Sequence, residues 1–489
     1  MRVLMLGWEF PPFIAGGLGV ACYGLTRALD AMGHRVTFVL PKPVDRSQSS
    51  HVRLLSPEAL AVRRLRGGRP SASVTSTGSS IEAEADGVTE LASHGFRHAV
   101  FRGVPAAFAS PYPGHDQCDK TQWISLTDVA VPNAPEETAD AQEPAARAAA
   151  EQIAEMMSAI GVSSSSHGEF NGNGAYGFDL VGDAERYARL VVSLTRGDEF
   201  DVIHAHDWLT FPAGVMLSRV SGKPLLVHVH STEFDRAGNN VNQRVYDIER
   251  LGMHAADRVL AVSQLTKNIC ERRYGVPPEK IEVVYNGIER EAQQPAAGSD
   301  IQSGDKIVLF LGRITMQKGP EYFIAAAKRV LEKVKDVKFV IAGSGDMALR
   351  MVELAASMGI GHKVLFTGFL RGKDVERIYQ MADCYVMPSV SEPFGLAALE
   401  AVSHDVPVIV SKTSGVSEVL SHVLKVDFWD IDEMANKIIA VLRHPPLGAT
   451  LREHGSFELQ RLTWSGAAER CVAAYGEVIG ARSNSLQTA

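Results

Sequence analysis

The chain opens on a short apolar run, Arg2–Leu6, followed at once by a glycine-rich turn. From about Val20 to Met32 the apolar residues fall at helical spacing, Gly33 suits a stop, and Arg35–Val39 predicts the next strand. The pattern then fades from about Ser47 to Gly177, with strand character only in places such as His98–Phe101. Pro132–Ala150 is rich in Ala, Glu and Pro, and Ser163–Gly174 in Ser, Gly and Asn. Such composition buries too little apolar surface to fix a loop, so residues 127–176 read as a flexible insertion, with Ala145–Ile160 able to form a helix inside it.

Order returns with a helix at Tyr187–Arg196. β-rich runs follow at Asp201–His206, Leu225–His230, Arg258–Ser263 and Ile281–Tyr285, and Pro277-Pro278 interrupts the chain before the last of them. Gln293–Gly304 has few large apolar residues and reads as a linker. A second cycle predicts strands at Ile307–Leu311, Lys338–Ala342, Lys363–Thr367, Cys384–Met387, Pro407–Val410 and Leu424–Val426, most of them separated by helices. Strand–helix alternation twice over implies two doubly wound, Rossmann-like α/β domains with parallel sheets. The expected division is a first domain over 1–290, a linker over 291–305 and a second domain over 306–463. A final helix, about Trp464–Val478, lies in a segment 464–489 expected to pack back on the first domain. In such sheets ligands sit at the carboxyl ends of strands, so two facing domains make one cleft.

Hydrophobic content of 45% and charged content of 22% in 489 residues are those of an ordinary water-soluble protein. The net charge of −8, from 49 basic and 57 acidic side chains, gives no reason to expect a nucleic-acid partner. Five scattered cysteines (Cys22, Cys118, Cys270, Cys384 and Cys471) contain no C-x-x-C pair, which argues against a zinc site or disulfide framework and fits a cytoplasmic location. The first apolar run ends at Trp8-Glu9 and two prolines, so it reads as a buried strand rather than a signal peptide. No run approaches the length of a membrane span.

Two segments carry candidate chemistry in the second half. Arg313 and Lys318 follow the strand Ile307–Leu311 and precede a helix starting near Pro320, so a diphosphate there would meet two cations and free helix amides. A solvated pair on a loop is the plain alternative. Ser391-Glu392-Pro393-Phe394-Gly395-Leu396 follows Cys384–Met387, and Glu400 lies on the helix that Gly395 opens. Two acids can accept hydrogen bonds from paired sugar hydroxyls, and the amides near Gly395 and Leu396 can hold a phosphate. Glu392 could equally serve only as a helix N-terminal charge.

Together these motifs resemble the second half of the GT-B glycosyltransferases, above all glycosyltransferase family 4 and the bacterial glycogen and starch synthases. The text that carries the resemblance is Leu311-Gly312-Arg313 with Gln317-Lys318-Gly319, Ala342-Gly343-Ser344-Gly345, Phe366-Thr367-Gly368-Phe369, and Pro388-Ser389 with Glu392 and Glu400. The resemblance implies that Arg313 and Lys318 bind the donor diphosphate, Glu392 the donor sugar and Glu400 the ribose. It also implies that the amides of Gly395 and Leu396 meet the distal phosphate, and that Gly343, Gly345, Phe369 and Leu370 lie by the base. In the first half, Gly16-Gly17-Leu18-Gly19 resembles the glycine loop of glycogen synthases, a donor-side element. The lysine found there two residues before the paired glycines is replaced by Ile14.

His204-Ala205-His206-Asp207-Trp208 and His228-Val229-His230 end two neighbouring strand predictions, and His-x-His could mark metal ligands. The resemblance instead puts His230 beside the reacting sugar and Asp207 on the acceptor side, with His204 and His228 as buried structural residues. Asp430-Ile431-Asp432 has the Asp-x-Asp form that holds a divalent metal in another glycosyltransferase fold. Here it precedes Glu433 and an amphipathic run, so it reads as a helix cap. No metal or other cofactor is expected. The substrate implied is an ADP- or UDP-sugar, with a carbohydrate acceptor, and the reaction implied is retaining transfer of glucose to an α-glucan or maltooligosaccharide. Another donor sugar, or a lipid, sucrose-type or trehalose-type acceptor, stays open. A nicotinamide dehydrogenase would need a third glycine at Cys22 and an acid near the end of the second strand. A nucleotide-sugar epimerase and a non-catalytic glycan-binding relative are the remaining alternatives.

Overall fold

Each short apolar run pairs with its neighbours as a parallel strand, because helical crossovers return the chain to the same edge of the sheet. The computed structural model describes residues 1–11, 16–41, 54–55, 99–103, 180–289 and 304–488. Strands β1 (Arg2–Leu6), β2 (Arg35–Leu40), β3 (Leu54–Leu55), β4 (Ala99–Gly103), β5 (Val202–His206), β6 (Leu225–Val229), β7 (Arg258–Ala261) and β8 (Ile281–Val283) form one sheet, in the order β3-β4-β2-β1-β5-β6-β7-β8. Strands β9 (Lys306–Leu311), β10 (Val337–Ala342), β11 (Val364–Gly368), β12 (Cys384–Met387), β13 (Val408–Ser411) and β14 (Leu424–Val426) form the second, in the order β11-β10-β9-β12-β13-β14. The strand order reverses between β1 and β5 in the first sheet and between β9 and β12 in the second, and these two switch points are where a doubly wound sheet opens a crevice.

Period-2 alternation divides the core. Along β1, Leu4 and Leu6 enter one buried cluster with Trp8, Tyr187 and Trp208, while Val3 and Met5 enter the other with Phe10, Leu25 and Phe38. The second cluster is closed by the last helix, Trp464–Thr488, through Trp464, Ala468, Cys471 and Tyr475. This helix returns from the second domain and completes the core of the first. Gly24 makes room for it, since a Cβ there would lie 2.2 Å from the Trp464 ring.

Several boundaries differ from the sequence reading. The first helix is Gly17–Ala31 rather than one starting near Val20, the helix expected at Tyr187–Arg196 is Leu180–Leu194, and the last extends beyond Val478 to Thr488. Glycines score poorly in a helix interior, yet at a first turn they leave amides free without steric cost. Cys22, Cys270, Cys384 and Cys471 are buried free thiols. The expected insertion over 127–176, the possible helix within it, Ile14, Cys118 and most of the linker fall outside the described residues.

Candidate active site at the interdomain cleft

The loop after β9 carries Arg313 and Lys318, and the loop after β12 carries Glu392, so the second switch point brings these segments side by side. Lys318 Nζ donates to Glu392 Oε2 at 2.5 Å, and Ser389 Oγ donates to the same oxygen at 3.1 Å. Glu392 is only 6% exposed, and its backbone is held by Thr413 O and Gly415 N. Gln317 ties the two loops together. Its carbonyl accepts from Val390 N at 2.9 Å, and its Oε1 accepts from the exposed Arg313 guanidinium at 3.4 Å. Glu400, half-buried on the helix Leu396–Ser403, accepts from Tyr379 Oη at 3.1 Å, and burial raises its carboxyl above the ordinary value. Burial, and next the Glu392 and Glu400 carboxylates, push the Tyr385 phenol well up.

Other second-domain candidates follow further strands of the same sheet, Gly343 and Gly345 after β10 and Phe369 and Leu370 after β11 at its edge. The two glycines are demanded by packing. A Cβ on Gly343 would lie 1.9 Å from Gly312 O, and its φ of +144 is one side chains rarely adopt. Phe369 is 39% exposed after β11, with the Arg371 guanidinium over its ring, and Leu370 packs into a neighbouring buried cluster. Gly395 is the N-cap of the helix that Leu396 begins.

In the first domain Gly16 and Gly17 open a helix after β1, above the buried Glu9, whose Oε2 would lie 2.6 Å from a Cβ on Gly16. Across the switch point, Asp207 follows β5 with a φ of +57, left-handed backbone that aspartate tolerates better than most side chains. Its Oδ1 accepts from His230 N at 2.7 Å and Ser231 N at 3.3 Å, and burial raises its carboxyl to about 7. Arg236, which sequence reasoning did not single out, is held between the buried carboxylates of Glu233 and Glu249 and donates to Ser231 O at 3.2 Å. Glu233 lies three residues from Arg236 and could have been read as its partner, but Glu249 is brought in only by the fold.

The two halves touch. Ser391 Oγ, beside Glu392, donates to Asp235 Oδ1 at 2.6 Å, and the turn Met316–Lys318 packs against the helix Glu233–Ala237. Leu396, from the second domain, packs against the first-domain cluster on which Leu18 and Tyr23 of the first helix also lie. Glu418 accepts from Gln264 N at 2.8 Å and Leu265 N at 2.7 Å, capping a first-domain helix that has no acid in its own first turn. Asp235, Ser391 and Glu418 were missed because no local pattern marks a residue whose partner lies in the other domain.

His204, His206 and His228 bring ring nitrogens within 4.8 Å of one another. His204 and His206 lie face to face at 4.3 Å between centroids, as do His228 and His230, while His204 Nε2 meets His228 Nδ1 edge to edge at 3.2 Å. Both nitrogens of His204 and the Nδ1 of His206 and of His228 are engaged with neighbouring side chains, so a metal ion here would have to displace those contacts. Asp430 caps the helix Ile431–Arg443 through Glu433 N at 2.9 Å.

Known proteins share this architecture. Residues 2–99 match the starch synthase catalytic domain, 172–292 match Glycosyltransferase Family 4, and 293–456 match glycosyl transferases group 1. The chain is a GT-B glycosyltransferase. The glycosyltransferase is 37% identical over 238 residues to an uncharacterized glycosyltransferase of Methanocaldococcus jannaschii, a match covering 46% of this chain and 61% of that relative. It is 26% identical over 422 residues to a glycogen synthase of Mycobacterium tuberculosis, covering 86% of this chain and 80% of that one. Among solved structures, its fold matches sucrose-phosphate synthase from Thermosynechococcus elongatus at TM-score 0.65 and 18% identity, over 98% of this chain and 99% of that one. The Anabaena HepE structure, solved with UDP and glucose, matches at TM-score 0.60 and 15% identity, over 98% and 100%. No described helix of the glycosyltransferase is long and apolar enough to cross a membrane.

Proposed function

We propose that this glycosyltransferase moves glucose from ADP- or UDP-glucose to an α-glucan or maltooligosaccharide with retention of configuration. The observation that carries the reading is the Lys318 ammonium held at 2.5 Å from the buried Glu392 carboxylate, at a switch point that faces the first domain. Leaving-group charge is what glycosyl transfer must stabilise, and Lys318, Arg313 and the amides beginning at Leu396 supply positive potential without a metal. Lys318 is preorganised by Glu392, whose carboxylate is also placed to accept from donor-sugar hydroxyls. Glu400 takes the ribose hydroxyls, and Gly343, Gly345, Phe369 and Leu370 border the base. His230 borders the reacting sugar and Asp207 the acceptor.

Glu392 Oε2 is engaged by Lys318 and Ser389, and Asp207 Oδ1 by the backbone amides of His230 and Ser231, which favours front-side displacement over a covalent intermediate on either. The bond from the anomeric carbon to the diphosphate oxygen breaks, the acceptor oxygen bonds to the same face, and the departing phosphate takes the acceptor's proton. The long match to a glycogen synthase and the starch-synthase match at the amino end support a glucan acceptor. Relatives named D-inositol 3-phosphate glycosyltransferase and a lipid-linked galactosyltransferase support a second reading with another acceptor. A panel of nucleotide sugars, read by nucleotide release with and without maltooligosaccharide, separates these. Release that depends on glucan, with an α-linked product by NMR, is expected. A β-linked product would end the retaining mechanism, and release unaffected by glucan would end the glucan reading.

A further inference from the structure

We propose that His206 is a positioning residue that fixes His230 as the tautomer protonated on Nδ1, so that His230 offers the donor sugar an N–H rather than a lone pair. This rests on the reading that His230 borders the reacting sugar.

The argument begins with β5 and β6. Side chains alternate along a strand, so His204 and His206 share one face of β5, and His228 and His230 continue the same face along β6. The register sets His206 opposite His228. Diagonal neighbours then pair edge to edge: His206 Nδ1 lies 2.9 Å from His230 Nε2, and His204 Nε2 lies 3.2 Å from His228 Nδ1. The two pairs stack on one another.

A neutral imidazole has one N–H, and its place follows from what each nitrogen meets. His206 is fully buried, and its Nε2 has no hydrogen-bond partner. With the proton on Nε2, a buried donor would be stranded; with the proton on Nδ1, only a lone pair is left unmatched, the less costly alternative. His206 therefore donates from Nδ1 to His230 Nε2, and His230 must carry its own proton on Nδ1. The second pair obeys the same rule. His228 Nε2 is also buried without a partner, so His228 donates from Nδ1 to His204 Nε2, and His204 donates from Nδ1 to Tyr475 Oη at 2.6 Å. One rule thus assigns all four rings. Among the described residues nothing accepts from His230 Nδ1, and the residue is half-buried. Asp207 meanwhile accepts from the backbone of His230, so consecutive residues hold its ring and its main chain.

The test uses full-length protein with ring-labelled histidine and long-range nitrogen–proton NMR. Kinetics use UDP-glucose and ADP-glucose with maltooligosaccharide. Wild-type His230 is expected as the Nδ1–H form. His206→Asn, whose amide nitrogen takes the place of Nδ1, should keep that form. His206→Leu should let His230 populate Nε2–H and lower kcat about tenfold, the effect of one mispositioned hydrogen bond, with UDP affinity unchanged. Rescue by asparagine separates positioning from packing. A wild-type His230 protonated on Nε2 overturns the proposal even if His206→Leu fails to fold, and so does a stoichiometric, chelator-sensitive zinc ion taking up these lone pairs. Equal kcat in the leucine and asparagine variants overturns it as well. If His230→Ala impairs turnover while the tautomer is wrong, the proposal falls and the site reading stands. If His230→Ala turns over normally, the site reading falls and takes the catalytic consequence with it.

Discussion

At the scale of single residues, the site is built from buried charge that has a named partner. Lys318→Ala leaves Glu392 without its cation, and Glu392→Ala leaves Lys318 free to swing away from the proposed diphosphate position. Each should lower turnover by roughly 100-fold or more, with far-UV circular dichroism unchanged; native turnover in both would remove the electrostatic mechanism. The buried ionisable groups also predict a pH response. Burial holds His204, His206 and His228 well below the ordinary histidine value. The unfolded chain then binds more protons than the folded one below about pH 6.5, so stability is lost on acidification, by up to about 1.4 kcal/mol per pH unit for each ring. Asp207 acts in the opposite sense. Raised to about 7, it keeps its proton in the folded state where the unfolded chain has lost it, and its contribution declines as pH rises to that value. Asp207→Asn removes this opposition, so its urea midpoint should drop more between pH 7 and pH 5.5 than that of the wild type. A smaller drop would contradict the assignment.

At the scale of elements, strands and loops behave differently from helix ends. The strand runs were legible because alternation and short apolar length are local properties, and Cys384–Met387 and Leu424–Val426 coincide with β12 and β14. The motifs at Arg313–Lys318 and Glu392–Glu400 were legible because each is a fixed spacing on one loop or helix. The helix starts at Gly17 and Leu180 were not, since glycine and weakly patterned residues become helical only where a neighbouring element covers them. The last helix shows the same effect. Its inner face is set by contact with the first helix, where Trp464, 7% exposed, lies over Gly24. Trp464→Ala should cost about 3–5 kcal/mol, read by chemical denaturation. A loss below about 1 kcal/mol would mean that the helix is dispensable to the first-domain core.

At the scale of the whole molecule, the domains meet through apolar packing, as of Val262 and Tyr285 on the second-domain core, and through specific polar contacts. Asp235 with Ser391 lies beside the site, and Glu418 caps a first-domain helix from the second domain. Glu418 is exposed, so the cap is worth only about 0.3–1 kcal/mol, a magnitude that suits a contact made and broken in turnover. Glu418→Gln should raise the radius of gyration of nucleotide-free protein in X-ray scattering and weaken nucleotide binding about two- to fivefold. Wild-type protein should become more compact with a nucleotide diphosphate, and scattering indifferent to both changes would count against closure. By itself the sequence determined two parallel sheets and the loops that carry the candidate motifs at their strand ends, because hydrophobic period and loop spacing act over a few residues. Only the tertiary structure decided that Lys318 meets Glu392, that four histidines stack in two pairs, and that Asp235 reaches Ser391. Those contacts join residues far apart in the chain, and they exist only once strand order and domain docking have set who stands beside whom.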